Sequence, residues 1–237
     1  MIKIGINGLG RIGRAVIRSN SLNPRFEVVA VNDINPDIGN IAYQLNYDTT
    51  YGQLADKYEV SGGKLVNGPY EMAMFHEKHI DEVPWEKSGV DIVIDASGVF
   101  DNVTRARELL ARQAISHVVV THSPNNVDFT MVLGANHELF DVSKHRLVSS
   151  SICDATAMAP VLKCVQENFG IREGYITTLH PWLNYQNLSD GPASSWSHPG
   201  EIYHHYSLGR ASIGNMIPKP TSAVTATCKV MQNLSED

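Results

Sequence analysis

Three stretches of this chain hold residue types able to do chemistry together. The stretch "GINGLGRIGR" sets Gly8, Gly10 and Gly13 in a G-x-G-x-x-G pattern. In "SSSICDATAMAP", residues 149–160, Cys153 stands between a short apolar run and what reads as the first turn of a helix. The run "YITTLH" ends in His180. Unpaired N–H groups and the dipole at a helix start stabilise a thiolate, which is the nucleophilic form of cysteine. An imidazole carried back beside that helix by a strand can act as base and later as acid. The competing reading of Cys153 is a small buried filler, and a base placed beside it decides for the nucleophile. Cys164, in mid-helix, and Cys228, inside another helical stretch, read as small core hydrophobes.

The glycine pattern follows a predicted strand and opens a predicted helix, which is the context that gives it meaning. Gly8 permits the tight turn, Gly10 lets the backbone approach a pyrophosphate, and Gly13 lets helix and strand pack closely. The free N–H groups at the helix start, at Arg11 and Ile12, then face the phosphates. The second strand ends in "VND", and Asp33 lies twenty residues past Gly13, where a carboxylate accepts hydrogen bonds from an adenosine ribose. Such a carboxylate repels a 2′-phosphate, so NAD is preferred over NADP, with Arg11 the basic residue able to soften that preference. Ser97 and Gly98 in "DASGVF" and Thr121 in "VVVTH" follow later strands, and ligands of open α/β sheets bind at such strand ends. Spacing alone leaves Ser97 and Thr121 equally readable as turn residues.

The elements that position these groups alternate. Strand candidates are 2–7, 26–32, 91–97, 117–122 and 146–150, with nearly continuous apolar runs as in strands covered on both faces. Residues 11–19 and 102–113 read as helices, the second with Val103, Ala106, Leu110 and Ala114 at helical spacing. This alternation predicts an α/β fold, a doubly wound parallel sheet over 1–150 forming a dinucleotide-binding domain. Residues 57–75 read as antiparallel strands decorating that sheet. Residues 151–237 are expected to form a second domain, opened by a helix after Cys153 whose stripe is Met158, Val161, Leu162, Val165 and Phe169.

Composition narrows the partners. The chain has 237 residues, 43% hydrophobic and 19% charged, with a formal net charge of −6, so no basic face is available to neutralise nucleic-acid phosphates. No apolar run approaches membrane-spanning length, and "MIKIGINGLG" is no secretory signal. Three cysteines at irregular spacing suggest neither a disulfide framework nor a zinc site, which fits a reducing cytoplasm. His204 and His205 in "YHHY" lack carboxylate or thiolate partners at useful spacing, and no metal is expected.

The motifs "KIGINGLGRIGR", "VVAVND", "DASGVF", the cysteine segment, "TTLHPWLNYQNLSDGP" and "GRASIGNMIP" occur in an order that resembles the phosphorylating glyceraldehyde-3-phosphate dehydrogenases across essentially the whole chain. The resemblance implies that Cys153 attacks an aldehyde phosphate and His180 handles the proton. It also implies hydride transfer to NAD, thioester cleavage by inorganic phosphate, substrate contacts at Cys153 and Thr221, and a homotetramer. The chain departs from the family's Ser-Cys-Thr-Thr-Asn-Cys at "ICDATA", where Ile152 and Asp154 replace hydroxyls used to hold a phosphate. Leu183 replaces another phosphate ligand, a threonine, and Ser222 follows Thr221 where glycine is usual. A carboxylate at 154 is expected to repel the phosphate acceptor and to oppose the thiolate. The segment 193–208 is longer than the family's corresponding loop. The resemblance implies that residues 151–237 are a partial α+β catalytic domain: the family's catalytic domain continues past "KVMQNLSED", so a partial chain is expected. The competing functions are a variant dehydrogenase that hydrolyses its thioester and a nucleotide-binding pseudoenzyme or assembly partner.

Overall fold

The computed structural model describes residues 1–112, 115–183, 186–192 and 206–236. In chain order its elements are β1 (Lys3–Asn7), α1 (Arg11–Leu22), β2 (Glu27–Asn32), α2 (Ile38–Asn46), the short pair β3 (Tyr47–Asp48) and β4 (Gly52–Gln53), then β5 (Glu59–Ser61), β6 (Lys64–Asn67) and β7 (Tyr70–Phe75). There follow β8 (Ile92–Asp95), α3 (Asp101–Ala111), β9 (His117–Val120), β10 (Phe129–Thr130), β11 (Leu147–Ser149), α4 (Cys153–Phe169) and α5 (Ala223–Val230).

One nine-stranded sheet runs in the order β10-β11-β9-β8-β1-β2-β7-β6-β5. Pairing is parallel from β10 through to β7 and antiparallel only at β7–β6 and β6–β5. The expected doubly wound parallel sheet is therefore present. The 57–75 segment is more than a decoration, because β7 pairs parallel with β2 and makes the hairpin part of the main sheet.

The apolar strand runs have a simple cause: both faces are covered. On one face Ile4, Ile6, Val28 and Val31 pack with Ile17 of α1 and Ile41 and Leu45 of α2. On the other, Ala30, Val93, Val118 and Val120 pack with Val103, Ala106, Leu109 and Leu110 of α3 and with Trp85. The helix over residues 38–46 had no expectation attached; Asp37 caps it by accepting the Asn40 N–H at 3.0 Å. Ala114, His204 and His205 lie outside the described residues, as does most of the 193–208 segment.

Two expectations for the second half are corrected. Helix α4 does start at Cys153, but it buries Ala155 and Ala159, while Val161 is 62% and Phe169 86% exposed. Its small residues let it approach the turn at Val132 and Ala135 and the end of α5 at Val230 and Met231, and apolarity alone could not say which side would find that partner. The run "YITTLH" is not a strand. A strand exists only through ladder partners, and no described residue after Ser149 is in one. Among the described residues no helix is long and apolar enough to cross a membrane.

Gly5 shows how tightly the sheet is covered. A Cβ there would sit 2.6 Å from Trp85 Cε3, in a ring fully buried and tied by its indole N–H to the Ile80 carbonyl at 2.8 Å. Gly5→Ala is expected to destabilise the fold by about 1–3 kcal/mol, as overpacking does. Urea unfolding followed by Trp fluorescence checks this, and an unchanged midpoint would show that the ring moves freely.

Candidate active site: a glycine turn and a Cys–Asp–His cluster

The glycine turn begins where β1 ends. Gly8 has φ +91°, its N–H donates to the Asn32 carbonyl at 2.8 Å, and a Cβ would meet the Ser97 backbone at 2.7 Å. A Cβ on Gly13 would overlap the Gly8 carbonyl oxygen, so α1 lies on the turn at a distance only glycine allows. Gly10 has nothing within 4 Å of where its Cβ would be, which leaves open space over the start of α1. Arg11 and Ile12 follow at the exposed first turn of that helix.

Asp33 is half-buried at the end of β2. Its Oδ2 accepts the Leu9 N–H at 2.7 Å and its Oδ1 the Asn35 N–H at 2.9 Å. A carboxylate has about four acceptor positions, so Asp33 both fixes the glycine turn and keeps lone pairs for a hydroxyl. Arg11 is not free for a phosphate: it pairs with Asp48 and lies 5.6 Å from the Tyr51 ring centroid. Burial raises the Asp48 carboxyl, but the Arg11 hydrogen bond and the Tyr51 and Thr50 N–H groups outweigh it and hold the group at about 2.

The later strand ends are more structural than their spacing suggested. The Ser97 hydroxyl donates to Asp95 Oδ1 at 2.7 Å and accepts from Asn102 at 3.0 Å and the Val99 N–H at 3.2 Å. Gly98 is exposed at φ +72°, and Thr121, half-buried, closes β9 with its N–H on the Asp95 carbonyl at 3.0 Å. Spacing does not single out Asp95. It is fully buried, accepts from Asn7 at 2.8 Å, and through Asn7 reaches Asn32, also at 2.8 Å. Burial pushes its carboxyl up, against the bonds from Ser97 and Asn7. The signal was an amide or acid closing each run: "IKIGIN", "VVAVN" and "DIVID".

The cysteine is aimed by backbone. Ser149 Oγ donates to the His122 carbonyl at 2.6 Å and accepts the Ser151 N–H at 2.9 Å. Ser151 then takes φ +64°, the one non-glycine residue with positive φ among those described. This turns the chain from sheet to helix, with extended Ile152 as N-cap and Cys153 as first helical residue. Cys153 is exposed. Asp154, in the first turn, puts Oδ1 3.1 Å from His180 Nε2, their side chains 14% and 42% exposed. One ligand atom from each of Cys153, Asp154 and His180 lies within 4.8 Å of the others.

Cysteine and histidine thus come together without the expected strand. Asp154 meets His180, a contact that spacing did not suggest because it depends on where an irregular segment falls. Leu183 is exposed, and Thr221, also exposed, uses Oγ1 to accept the Ala223 N–H at 3.1 Å at the start of α5. The other cysteines are not core residues. Cys164 is exposed, on the side of α4 away from Ala155 and Ala159, and Cys228 is half-buried with its thiol pushed up by burial and by Glu236.

Comparison with known proteins follows this geometry. Residues 2–103 match the family model "Glyceraldehyde 3-phosphate dehydrogenase, NAD binding domain", and residues 152–237 match "Glyceraldehyde 3-phosphate dehydrogenase, C-terminal domain". The chain is similar to "Glyceraldehyde-3-phosphate dehydrogenase 1" of Kluyveromyces lactis, with 36% identity over 234 residues covering 99% of the chain and 67% of that protein. It is similar to the proteins of the same name from a Nostoc species, 35% identical over 98% of the chain and 65% of the relative, and from Bacillus cereus, 34% over 99% and 66%. The chain spans about two thirds of the length of these relatives. Matched by both domain models of one family and by full proteins of that family along nearly all its residues, the chain belongs to the glyceraldehyde-3-phosphate dehydrogenase family.

Proposed function

We propose that this chain serves NAD-dependent oxidation of glyceraldehyde 3-phosphate or a related aldehyde through a cysteine thioester, with acyl transfer to inorganic phosphate. The observation that carries the reading is Cys153 at the first position of α4 with the His180 imidazole inside the same 4.8 Å cluster. Residues 1–150 act as the NAD-binding domain and 151–237 as the catalytic part, in a cytoplasmic homotetramer by likeness to the family.

The residues present fit the cofactor. The open space beside Gly10 leaves room for a pyrophosphate, which the unpaired N–H groups of Gly10, Arg11 and Ile12 at the start of α1 would hold. Asp33 takes the adenosine ribose, and Ser97, Gly98 and Thr121 border the crevice at the strand ends. Asp48 holds Arg11 away from any 2′-phosphate, which keeps the preference for NAD.

His180 takes the Cys153 proton as sulfur adds to the aldehyde carbon, then passes a proton to the new oxygen to give a thiohemiacetal. NAD, when bound, supplies the hydride acceptor. His180 removes the hydroxyl proton as the C–O double bond re-forms, leaving a thioester on Cys153. A phosphate oxygen then attacks the acyl carbon and the Cys153 thiolate leaves, with Thr221 a candidate contact for substrate phosphate. A second reading is favoured by Asp154, 3.1 Å from His180: an aspartate–histidine pair activates water, and its charge repels phosphate, so free acid competes as product.

NADH formation with glyceraldehyde 3-phosphate across a phosphate or arsenate titration tests both readings. NADH is expected to form with a shallow rise in phosphate, and Ile152→Ser together with Asp154→Thr is expected to steepen it. Free acid at every phosphate concentration selects the hydrolytic reading, and no NADH from protein that binds NAD rejects the dehydrogenase. His180→Asn is expected to lower turnover roughly 100-fold or more with NAD affinity retained, the range for loss of a general base. Calorimetric titration of Asp33→Ala should show NAD weakened roughly tenfold or more relative to NADP, the scale of a lost hydrogen bond to a charged group. Because Asp33 also anchors Leu9, the ratio of the two affinities is the readout, and an unchanged ratio means that Asp33 does not read the ribose.

A further inference from the structure

We infer that Cys153, Asp154 and His180 form a binding site for a thiophilic divalent cation of the zinc type, with its fourth position open to water. The three side chains offer one sulfur, one oxygen and one nitrogen, all within 4.8 Å of one another. Zinc takes this donor mixture at about 2.0–2.3 Å in a tetrahedron, so its ligand atoms stand roughly 3.4–3.6 Å apart. The Asp154 Oδ1 to His180 Nε2 separation of 3.1 Å already lies close to such an edge. The rest is reached by closing the triangle by about an ångström, which the exposed Cys153 and the 42% exposed His180 are free to do.

Charge and softness choose the ion. A thiolate and a carboxylate together neutralise a dication, and neutral imidazole completes the set. Sulfur and nitrogen donors select zinc-like ions over magnesium or calcium, which require oxygen ligands. Two ligands come from adjacent residues in the first turn of α4, so the helix presents them as a pair, and the third comes from the segment that follows. Asp154 is the distinctive member, because it adds the oxygen ligand and already holds the histidine. Open access to solvent provides the entry path. On the dehydrogenase reading above, the bound ion would occupy the nucleophilic sulfur and make the site reversibly silent; the binding itself does not depend on that reading.

The test uses the whole chain, washed with chelator and titrated with zinc against a chromophoric competitor, without aldehyde or NAD. One equivalent is expected, with release of the thiol proton as pH is varied. Asp154→Thr, His180→Asn and Cys153→Ser should each weaken binding at least roughly tenfold, the loss that even outer-shell partners produce. Cys164→Ser should bind as the parent does. Cobalt in place of zinc should give a sulfur-to-metal charge-transfer band that disappears in Cys153→Ser. Near-UV circular dichroism verifies folding, and His180→Asn and Asp154→Thr carry the test if Cys153→Ser fails to fold. Substoichiometric zinc, unchanged affinity in both Asp154→Thr and His180→Asn, or loss of binding in Cys164→Ser would overturn the site. A chain that holds zinc but oxidises no aldehyde keeps this inference and rejects the dehydrogenase, while an active chain that ignores zinc does the reverse.

Discussion

The contact between Gly13 and the Gly8 carbonyl sets the geometry of the N-terminal half. No side chain fits between them, so α1 lies directly on the turn that ends β1, and there is open space where a Cβ on Gly10 would stand. The turn is fixed from below as well. Leu9 donates its N–H to Asp33 at 2.7 Å, and its carbonyl accepts from Arg14 at 2.6 Å. The buried chain Asn32–Asn7–Asp95 ties the ends of three adjacent strands beneath it. The two amides spend their hydrogen bonds on aligning strand ends, while Asp95 Oδ2 is buried with no hydrogen-bond partner among the described residues. These constraints meet at the carboxyl ends of β1, β2 and β8.

Charges are placed with the same economy. Arg11, in the first turn of α1, is paired with Asp48, so the positive charge at this helix start comes from the dipole and N–H groups and not from a free cation. At the start of α4, Asp154 complements the positive helix end and at the same time meets His180. The first pairing removes a free cation from the start of α1, whereas the second puts a carboxylate beside the cysteine.

Much of the N-terminal half was legible because strand and helix periods there are enforced by burial on two faces. The runs 2–7, 26–32 and 117–122 contain the observed β1, β2 and β9, since each is a short, mostly apolar stretch bounded by a turn or a helix. The place of β7 was not legible, because parallel or antiparallel pairing is decided by the neighbour. The start of α4 at Cys153 could be read from composition, but its buried face could not. Ala155 and Ala159 won that face through close approach, a property of the partner surface that residue apolarity does not record. The contact between Asp154 and His180 was invisible for a related reason: residues 171–183 have no regular period from which to extrapolate.

Ser151 separates two jobs that many sites combine. The left-handed turn at φ +64°, braced by the Ser149 hydroxyl, sets where the Cys153 backbone enters α4. Ile152, the N-cap residue, makes no side-chain cap hydrogen bond there. On the reading proposed above, substitutions at 152 and 154 would change the charge and hydrogen bonding around the sulfur, while the turn that leads into α4 is built from residues 149–151 and would stay in place.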